Sequence, residues 1–239
     1  MCGRFVLDRK TSDLVTLFDV DIVGDGLPDP SWNIAPTTSV AVVIDSLPKT
    51  EDAFEPVRRI EAARWGLVPS FAKDPFGPPL FNARSESVAE KPTFTAALAS
   101  RRAVIPATGY YEWRVVDGVK TPQYISLPGD ELMLFAGLYE WWRNPAADAT
   151  PANRWLLSTT ILTRASAGAL TSIHERMPVF LDGDFVEEWL DPLTEGDIDL
   201  VEHVVEGGAE VAERAEFVEV SLAVGSVANN GPELISPVA

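Results

Sequence analysis

The segment RAVIPATGYYEWRVV, residues 102–116, is the clearest indication of the fold class, because it has the composition of β-structure and three similar segments follow it. These are PQYISL at 122–127, LMLFAGLYEWW at 132–142 and RWLLSTTIL at 154–162. All are rich in the β-branched and aromatic residues that favour strands. The turn signals Asp117-Gly118 and Pro128-Gly129-Asp130 favour antiparallel hairpins over crossover helices. We therefore expect a curved, barrel-like, mainly antiparallel sheet.

The segments on the N-terminal side extend this prediction to an α+β fold. VAVVID at 40–45 and RRIEAARWGLVP at 58–69 predict further strands, while SDLVTLFD at 12–19 predicts a short helix capped by Thr11 or Ser12. Residues 91–100 have a helical composition, and SFAKDPFGPPL at 70–80 is a Pro-rich loop that could overhang a site. No linker divides the chain, so we expect a single domain over 1–239 with helices flanking the sheet.

Charge is unevenly distributed along the chain. The net charge is −17, yet residues 182–220 alone hold 14 acids against one base. Val201, Val204, Val205 and Val211 interrupt this acidic run as core contacts of a helix would, so we predict an acidic helical segment at about 182–215. The remaining 200 residues are nearly balanced, with 22 acids and 18 bases, so the acidity does not exclude a nucleic-acid partner.

Composition also limits the cofactors and the compartment. One cysteine and two histidines rule out an intrachain disulfide and make a zinc site improbable, so we expect neither metal nor cofactor. No stretch approaches the roughly 18 apolar residues of a membrane span, and the N-terminus lacks a signal-peptide pattern. We expect a cytoplasmic protein with no membrane partner.

Cys2 is the first candidate for chemistry. Initiator methionine is generally removed before a small second residue, and a mature N-terminal cysteine carries an amine and a thiol with reference pKa values of about 7.7–8.0 and about 8.5. The amine can form a Schiff base with an aldehyde, and the thiol can then close a five-membered thiazolidine. A lone cysteine is also compatible with an inert, small apolar residue.

Three further segments carry polar candidates. In PLFNARSES at 79–87, an extended chain would group Asn82, Arg84 and Glu86 on one face, although Asn82 could equally support a turn and Arg84 pair with a surface carboxylate. In TGYYEWRV at 108–115, alternation flanks Glu112 with aromatic residues, which favours a raised carboxyl pKa; the alternative is an edge residue paired with Arg114. In SIHERMPVF at 172–180, His174 is a proton-transfer candidate or a structural histidine.

The ordered motifs MCGRF, WNIAPT, WGLVP, NARSE, GYYEW, HERMP and VGSVANNGPELI span nearly the whole chain. Together they resemble the SOS-response-associated peptidase (SRAP) family. The resemblance implies the SRAP fold and covalent capture of abasic sites in single-stranded DNA through the N-terminal cysteine, which shields the lesion during the response to DNA damage. It also implies association with the nucleoid when DNA is bound, and abasic-site lyase activity as a side reaction.

The resemblance implies residue roles as well. Cys2 would be the crosslinking nucleophile, Asn82 would position it, and Glu112 and His174 would transfer protons. The DNA contacts would be Arg4, Asn33, Arg84 and Arg176 on the backbone or sugar, and Phe71 on a base. Family members carry neighbouring tryptophans where this chain has Phe71 and Ala72, so base stacking there would be reduced.

Two other functions remain open on the residues alone. The same Cys, Asn, Glu and His set could serve a thiol peptidase that acts mainly in autoproteolytic release of its own N-terminal residue. Alternatively, the protein could bind single-stranded DNA without catalysis, in which case Cys2 would be incidental.

Overall fold

A closed five-stranded barrel forms the centre of the computed structural model, which describes residues 2–48, 55–146, 148–150 and 154–238. The strands are β1 (Phe5–Leu7), β2 (Ile22–Val23), β3 (Ser31–Ile34), β4 (Ser39–Ser46), β5 (Val57–Trp65), β6 (Asn82–Arg84), β7 (Arg102–Ala107), β8 (Gly109–Val116), β9 (Val119–Ser126), β10 (Met133–Arg143), β11 (Trp155–Ala165), β12 (Arg176–Pro178), β13 (Phe180–Leu181) and β14 (Glu216–Glu219). The α-helices are α1 (Thr11–Leu17), α2 (Pro92–Ser100), α3 (Gly183–Leu190), α4 (Ile198–Gly207) and α5 (Ala209–Arg214).

The barrel strands run in the order β11, β10, β7, β4 and β5. Neighbours in this order pair antiparallel, and the ring closes through a parallel pairing of β5 with β11. A second, antiparallel sheet has the order β14, β9, β8, β1 and β3. The predicted α+β fold with a barrel-like, mainly antiparallel sheet is therefore confirmed.

Aromatic packing joins the second sheet to the barrel. The Phe5 ring meets Trp65 edge to face with the ring centroids 5.0 Å apart, and Tyr110 meets Phe135 in the same manner at 6.0 Å. Because each ring of these pairs is buried, their contacts fix β1 and β8 against the barrel wall. This packing places the residues just before β1, including Cys2, at the junction of the two sheets.

The segment 102–116 is two strands rather than one. β7 is buried along its whole length as a barrel strand, whereas β8 belongs to the second sheet, and the chain changes sheet at Thr108. Gly109 permits this crossing, since a Cβ atom there would lie 2.5 Å from the Ile125 carbonyl oxygen. The hairpin predicted at Pro128-Gly129-Asp130 is wrong for the same reason, because β9 and β10 belong to different sheets.

Other predictions agree closely with the structure. Asp117 and Gly118 have φ values of 51° and 78°, as a two-residue hairpin turn requires, and they join β8 to β9. The predicted N-terminal helix is α1, although its N-cap residue is Lys10 and not Thr11 or Ser12. The acidic segment forms α3, α4 and α5, whose buried residues include Val201, Val204 and Val211. Among the described residues, no helix has the length and apolar character needed to cross a membrane.

Candidate active site

Cys2 lies three residues before β1 and is buried, with its thiol side chain in the main hydrophobic core. Its carbonyl oxygen accepts a hydrogen bond of 2.7 Å from Asn82 Nδ2, which joins two residues 80 positions apart. Burial raises the pKa of the Cys2 thiol, and the charge of Glu112 raises it further. The thiol is therefore protonated at neutral pH.

Asn82 is held in place by β6, which pairs parallel with β11 so that Asn82 lies beside Ile161. While its Nδ2 atom donates to Cys2, its Oδ1 atom is buried and has no hydrogen-bond partner among the described residues. A buried acceptor without a donor costs free energy unless a ligand or a rearranged group satisfies it. Asn82 is thus an anchored side chain with one acceptor available.

Glu112 lies on the face of β8 that is turned toward the barrel. Tyr110, two residues before it, belongs to the main core, while Tyr111 and Trp113 pack in a second cluster on the other face, as the alternation predicted. The Glu112 side chain is buried, and this burial raises its carboxyl pKa, an effect that the charge of His174 opposes. The edge position considered from the sequence is excluded, because β8 lies between β1 and β9.

His174 lies in the loop before β12. The backbone N–H of Arg176 donates to His174 Nδ1 at 2.9 Å, a hydrogen bond that the tautomer with its proton on Nε2 accepts. Electrostatic interactions link the Cys2 thiol to Glu112 and Glu112 to His174. Together with the hydrogen bond from Asn82 to Cys2, they show that the fold brings the four candidate catalytic residues into one cluster.

Arg176, expected at the DNA, is held inside the protein. Its guanidinium donates to both carboxylate oxygens of Glu86, at 2.6 and 2.9 Å, and to the Thr163 carbonyl oxygen at 2.6 Å. The extended segment ends at Arg84, and residues 85–87 form a single 3₁₀ turn, so Glu86 does not share a face with Asn82 and Arg84. Arg84 itself is exposed.

Asn33 is likewise directed inward. Its Oδ1 atom accepts from Arg4 Nη1 at 2.7 Å, and its Nδ2 atom donates to carbonyl oxygens of the C-terminal segment, the shortest bond being 2.7 Å to Asn229. Arg4 Nη1 also donates to the Val224 carbonyl oxygen at 2.8 Å. Arg4 and Asn33 therefore hold the segment around 224–229 against β1 and β3. Phe71, by contrast, is 69% exposed on the Pro-rich loop.

Two features near the site do not follow from local patterns. The pattern in 79–87 groups Glu86 with Asn82, whereas in the structure Glu86 pairs with Arg176, which follows 90 residues later. The C-terminal segment contacts Asn33, and the motif VGSVANNG is its only signal in the sequence. Within the described ranges, no group of three or more His, Cys, Asp or Glu side chains is arranged to hold a metal ion.

The structure is that of a mixed-barrel protein whose candidate site holds a buried cysteine together with an amide, a carboxylate and an imidazole. The profile of the family described as SOS response associated peptidase (SRAP) matches residues 1–227. The chain is 37% identical to the abasic site processing protein YoqW of Bacillus subtilis (strain 168), over 98% of this chain and 99% of that protein. The chain belongs to the SRAP family.

More distant relatives and solved structures agree. The abasic site processing protein HMCES of Xenopus tropicalis is 30% identical over 87% of this chain and 66% of its own length. A crystal structure of a Bacteroides thetaiotaomicron protein matches all of both chains with a TM-score of 0.75 at 18% identity. A Bordetella bronchiseptica protein matches 92% of this chain and all of its own with a TM-score of 0.73 at 22% identity. At these identities the structures support the fold alone.

Proposed function

We propose that this protein processes abasic sites in single-stranded DNA by covalent capture of the ring-opened sugar aldehyde on Cys2. The observation that carries the proposal is the cluster of Cys2, Asn82, Glu112 and His174, assembled from four distant parts of the chain. Relatives that match nearly the full chain are named abasic site processing proteins, which supports the choice of substrate. Removal of Met1 is part of the proposal, because it frees the reacting amine.

The amine reacts first. Because burial raises the pKa of the Cys2 thiol, little thiolate exists near neutral pH, whereas a free α-amine has a reference pKa of about 7.7–8.0. The amine nitrogen bonds to the aldehyde carbon, and loss of one water gives an imine. Glu112 accepts the proton that the α-ammonium loses before its nitrogen attacks, and His174 donates the proton that leaves with the water. Asn82 Oδ1 accepts a hydrogen bond from the amine and orients it.

The thiol then completes the crosslink. Its sulfur bonds to the imine carbon while its proton passes to the nitrogen, so the ring contains carbon, nitrogen, the two cysteine carbons and sulfur. Glu112, whose charge acts on this thiol, carries the proton between them. The adduct shields the lesion, while an imine that does not close can undergo β-elimination, which accounts for a lyase side reaction.

The proposed DNA contacts follow from whether each side chain is exposed or already bonded to another part of the protein. Arg84 and Phe71 are exposed and would meet the phosphate backbone and a base. Arg4, held by Asn33, would present its guanidinium at the lesion, whereas Arg176, paired with Glu86, would support the site from inside the protein. The nucleoid location of the DNA-bound protein follows from the same proposal.

The test is to incubate the purified protein with single-stranded DNA that contains one abasic site and to look for a heat-stable complex on a denaturing gel. Cys2→Ala should abolish the complex. Cys2→Ser keeps the free amine, so it should form an imine that borohydride traps but no heat-stable adduct. The proposal is wrong if the wild type forms no adduct although intact-mass measurement shows that Met1 has been removed.

The two other functions predict different results. A thiol peptidase needs a thiolate nucleophile, which the raised thiol pKa disfavours, and it would release the N-terminal residue in a Cys2-dependent way without DNA. A noncatalytic binder would bind abasic DNA equally well as wild type and as Cys2→Ala, and neither would crosslink.

A further inference from the structure

A groove on the outer end of the barrel lies apart from the Cys2 site. It has a volume of about 780 Å³ and is lined by Arg64 of β5, Trp155 of β11, and Lys73 and Phe76 of the Pro-rich loop, among others. We infer that this groove binds unpaired nucleotides that flank the abasic site, with their bases stacked on Trp155 and Phe76. The inference rests on the proposed function and extends it to the DNA beyond the lesion.

The two rings are exposed although the surrounding backbone is anchored. Phe76 is 89% exposed and Trp155 is 51% exposed. Trp142, at the buried base of the groove, donates from Nε1 to the Ala72 carbonyl oxygen at 2.8 Å, and Asp74 accepts from the Phe76 backbone N–H at 2.9 Å. Anchored, exposed aromatic rings are suited to base stacking, which tolerates any sequence because every base has a π-face.

Charge in the groove favours a polyanion. Arg64 and Lys73 are its cations, and the one acidic residue in its lining, Asp74, is already a hydrogen-bond acceptor for the loop backbone. The acidic helices α3 to α5 contribute nothing to this lining. A cationic groove with aromatic rings therefore fits single-stranded DNA, although the chain as a whole has a net charge of −17.

The groove is connected to the reacting cluster by two elements. The Pro-rich loop forms its wall and leads directly into Asn82. β11 begins at Trp155 and reaches Ile161, the partner of Asn82, six residues later, which corresponds to about 20 Å at about 3.3 Å per residue. A strand whose abasic sugar lies at Cys2 would need several nucleotides to reach the groove, so only longer DNA can occupy it.

Binding should therefore depend on flank length. The probe is a set of single-stranded oligonucleotides that contain a tetrahydrofuran abasic analogue, which has no aldehyde, with the 5′ or the 3′ flank extended one nucleotide at a time. For the wild type, affinity should rise by about fivefold or more once one flank reaches the groove. Trp155→Ala and Phe76→Ala should lose this increase, while their crosslinking to a short oligonucleotide should remain at the wild-type level. Lys73→Gln should weaken the salt dependence of binding to the long oligonucleotide.

Trp141→Ala is the matched control, because Trp141 is 40% exposed on the neighbouring strand and lines an adjacent hollow with Asp25 and Glu61 but not the groove, whereas Trp155 lines both. It should keep the flank-dependent increase. The inference is overturned if affinity is independent of both flanks, or if Trp141→Ala removes the increase as fully as Trp155→Ala. Either result leaves the proposed function intact when the short oligonucleotide still crosslinks, whereas absence of any crosslink with processed protein contradicts the proposed function itself.

Discussion

Glu86→Gln tests how the fold prepares His174 for proton transfer. The Glu86 carboxylate receives both guanidinium bonds of Arg176, whose backbone N–H in turn holds His174 Nδ1 at 2.9 Å. Glutamine offers one oxygen and no charge, so the bidentate pair is lost while the bond of Arg176 to the Thr163 carbonyl oxygen remains. Because Arg176 is then held less firmly, the His174 ring that it holds should be in position for proton transfer for only a fraction of the time.

We expect Glu86→Gln to lower the rate of crosslinking more than the free energy of unfolding. The Glu86 side chain is 53% exposed, so solvent screens the pair and the variant should lose only about 0.5–1 kcal/mol of unfolding free energy. A small displacement of a proton-transfer group is more costly, and we expect crosslinking to slow about tenfold. Affinity for the tetrahydrofuran oligonucleotide should not change.

The pH dependence gives a second readout. The hydrogen bond from Arg176 lowers the pKa of Glu86, so the pair contributes fully above the ordinary carboxyl pKa of about 4.3 and is lost only as pH falls through the lowered value. The loss of unfolding free energy in Glu86→Gln, relative to the wild type, should therefore be constant from mildly acidic to neutral pH and should vanish in strong acid.

The assay is the single-turnover rate of crosslinking, measured together with thermal unfolding. Glu90→Gln, an exposed carboxylate four residues away, is the control and should match the wild type in both. An unchanged rate for Glu86→Gln, or a fall in rate fully explained by unfolded protein, would refute the positioning role.

Three further predictions concern other residues. Glu112→Gln should slow crosslinking about 10²-fold without weakening DNA binding, and an equal loss of affinity would contradict this. Because burial raises the pKa of Glu112, the variant should also lose less of its rate on mild acidification than the wild type, although protonation of the Cys2 amine slows both. Arg102→Lys should lose about 2–4 kcal/mol in urea unfolding, since the buried guanidinium donates to five carbonyl oxygens at the ends of α2 and α3 and in the loop after α3, which lysine cannot all reach. A loss no larger than that of exposed Arg143→Lys would count against it. Gly109→Ala should lower the melting temperature more than Gly118→Ala at the open turn, because its Cβ would meet the Ile125 carbonyl oxygen at 2.5 Å, and the reverse order would show that the crossing between sheets can relax.

Local patterns were sufficient where the structure depends on neighbouring residues. Alternation in 109–116 correctly separated Tyr110 and Glu112 from Tyr111 and Trp113, because a strand's two faces follow from its own backbone. The Asp117-Gly118 turn was equally predictable, since positive φ at two successive residues has a strong local residue preference. The candidate residues Cys2, Asn82, Glu112 and His174 were recognised from motifs, which carry residue identity but no distances.

Residue patterns are therefore enough to predict the α+β class, the strand-rich centre and the residues that could react. The change of sheet at Thr108, the closure of the barrel by β5 on β11, and the binding of Arg176 and Asn33 to protein groups appear only in the folded chain. These features are pairings between separate parts of the chain, across 90 residues or more for β5 with β11, Glu86 with Arg176 and Asn33 with Asn229. Their partners are selected by burial and hydrogen-bond geometry after the chain has packed. Cys2 illustrates both kinds of information. Its identity and its position next to Met1 are read from the sequence, whereas its raised thiol pKa and its contact with Asn82 exist only in the folded chain.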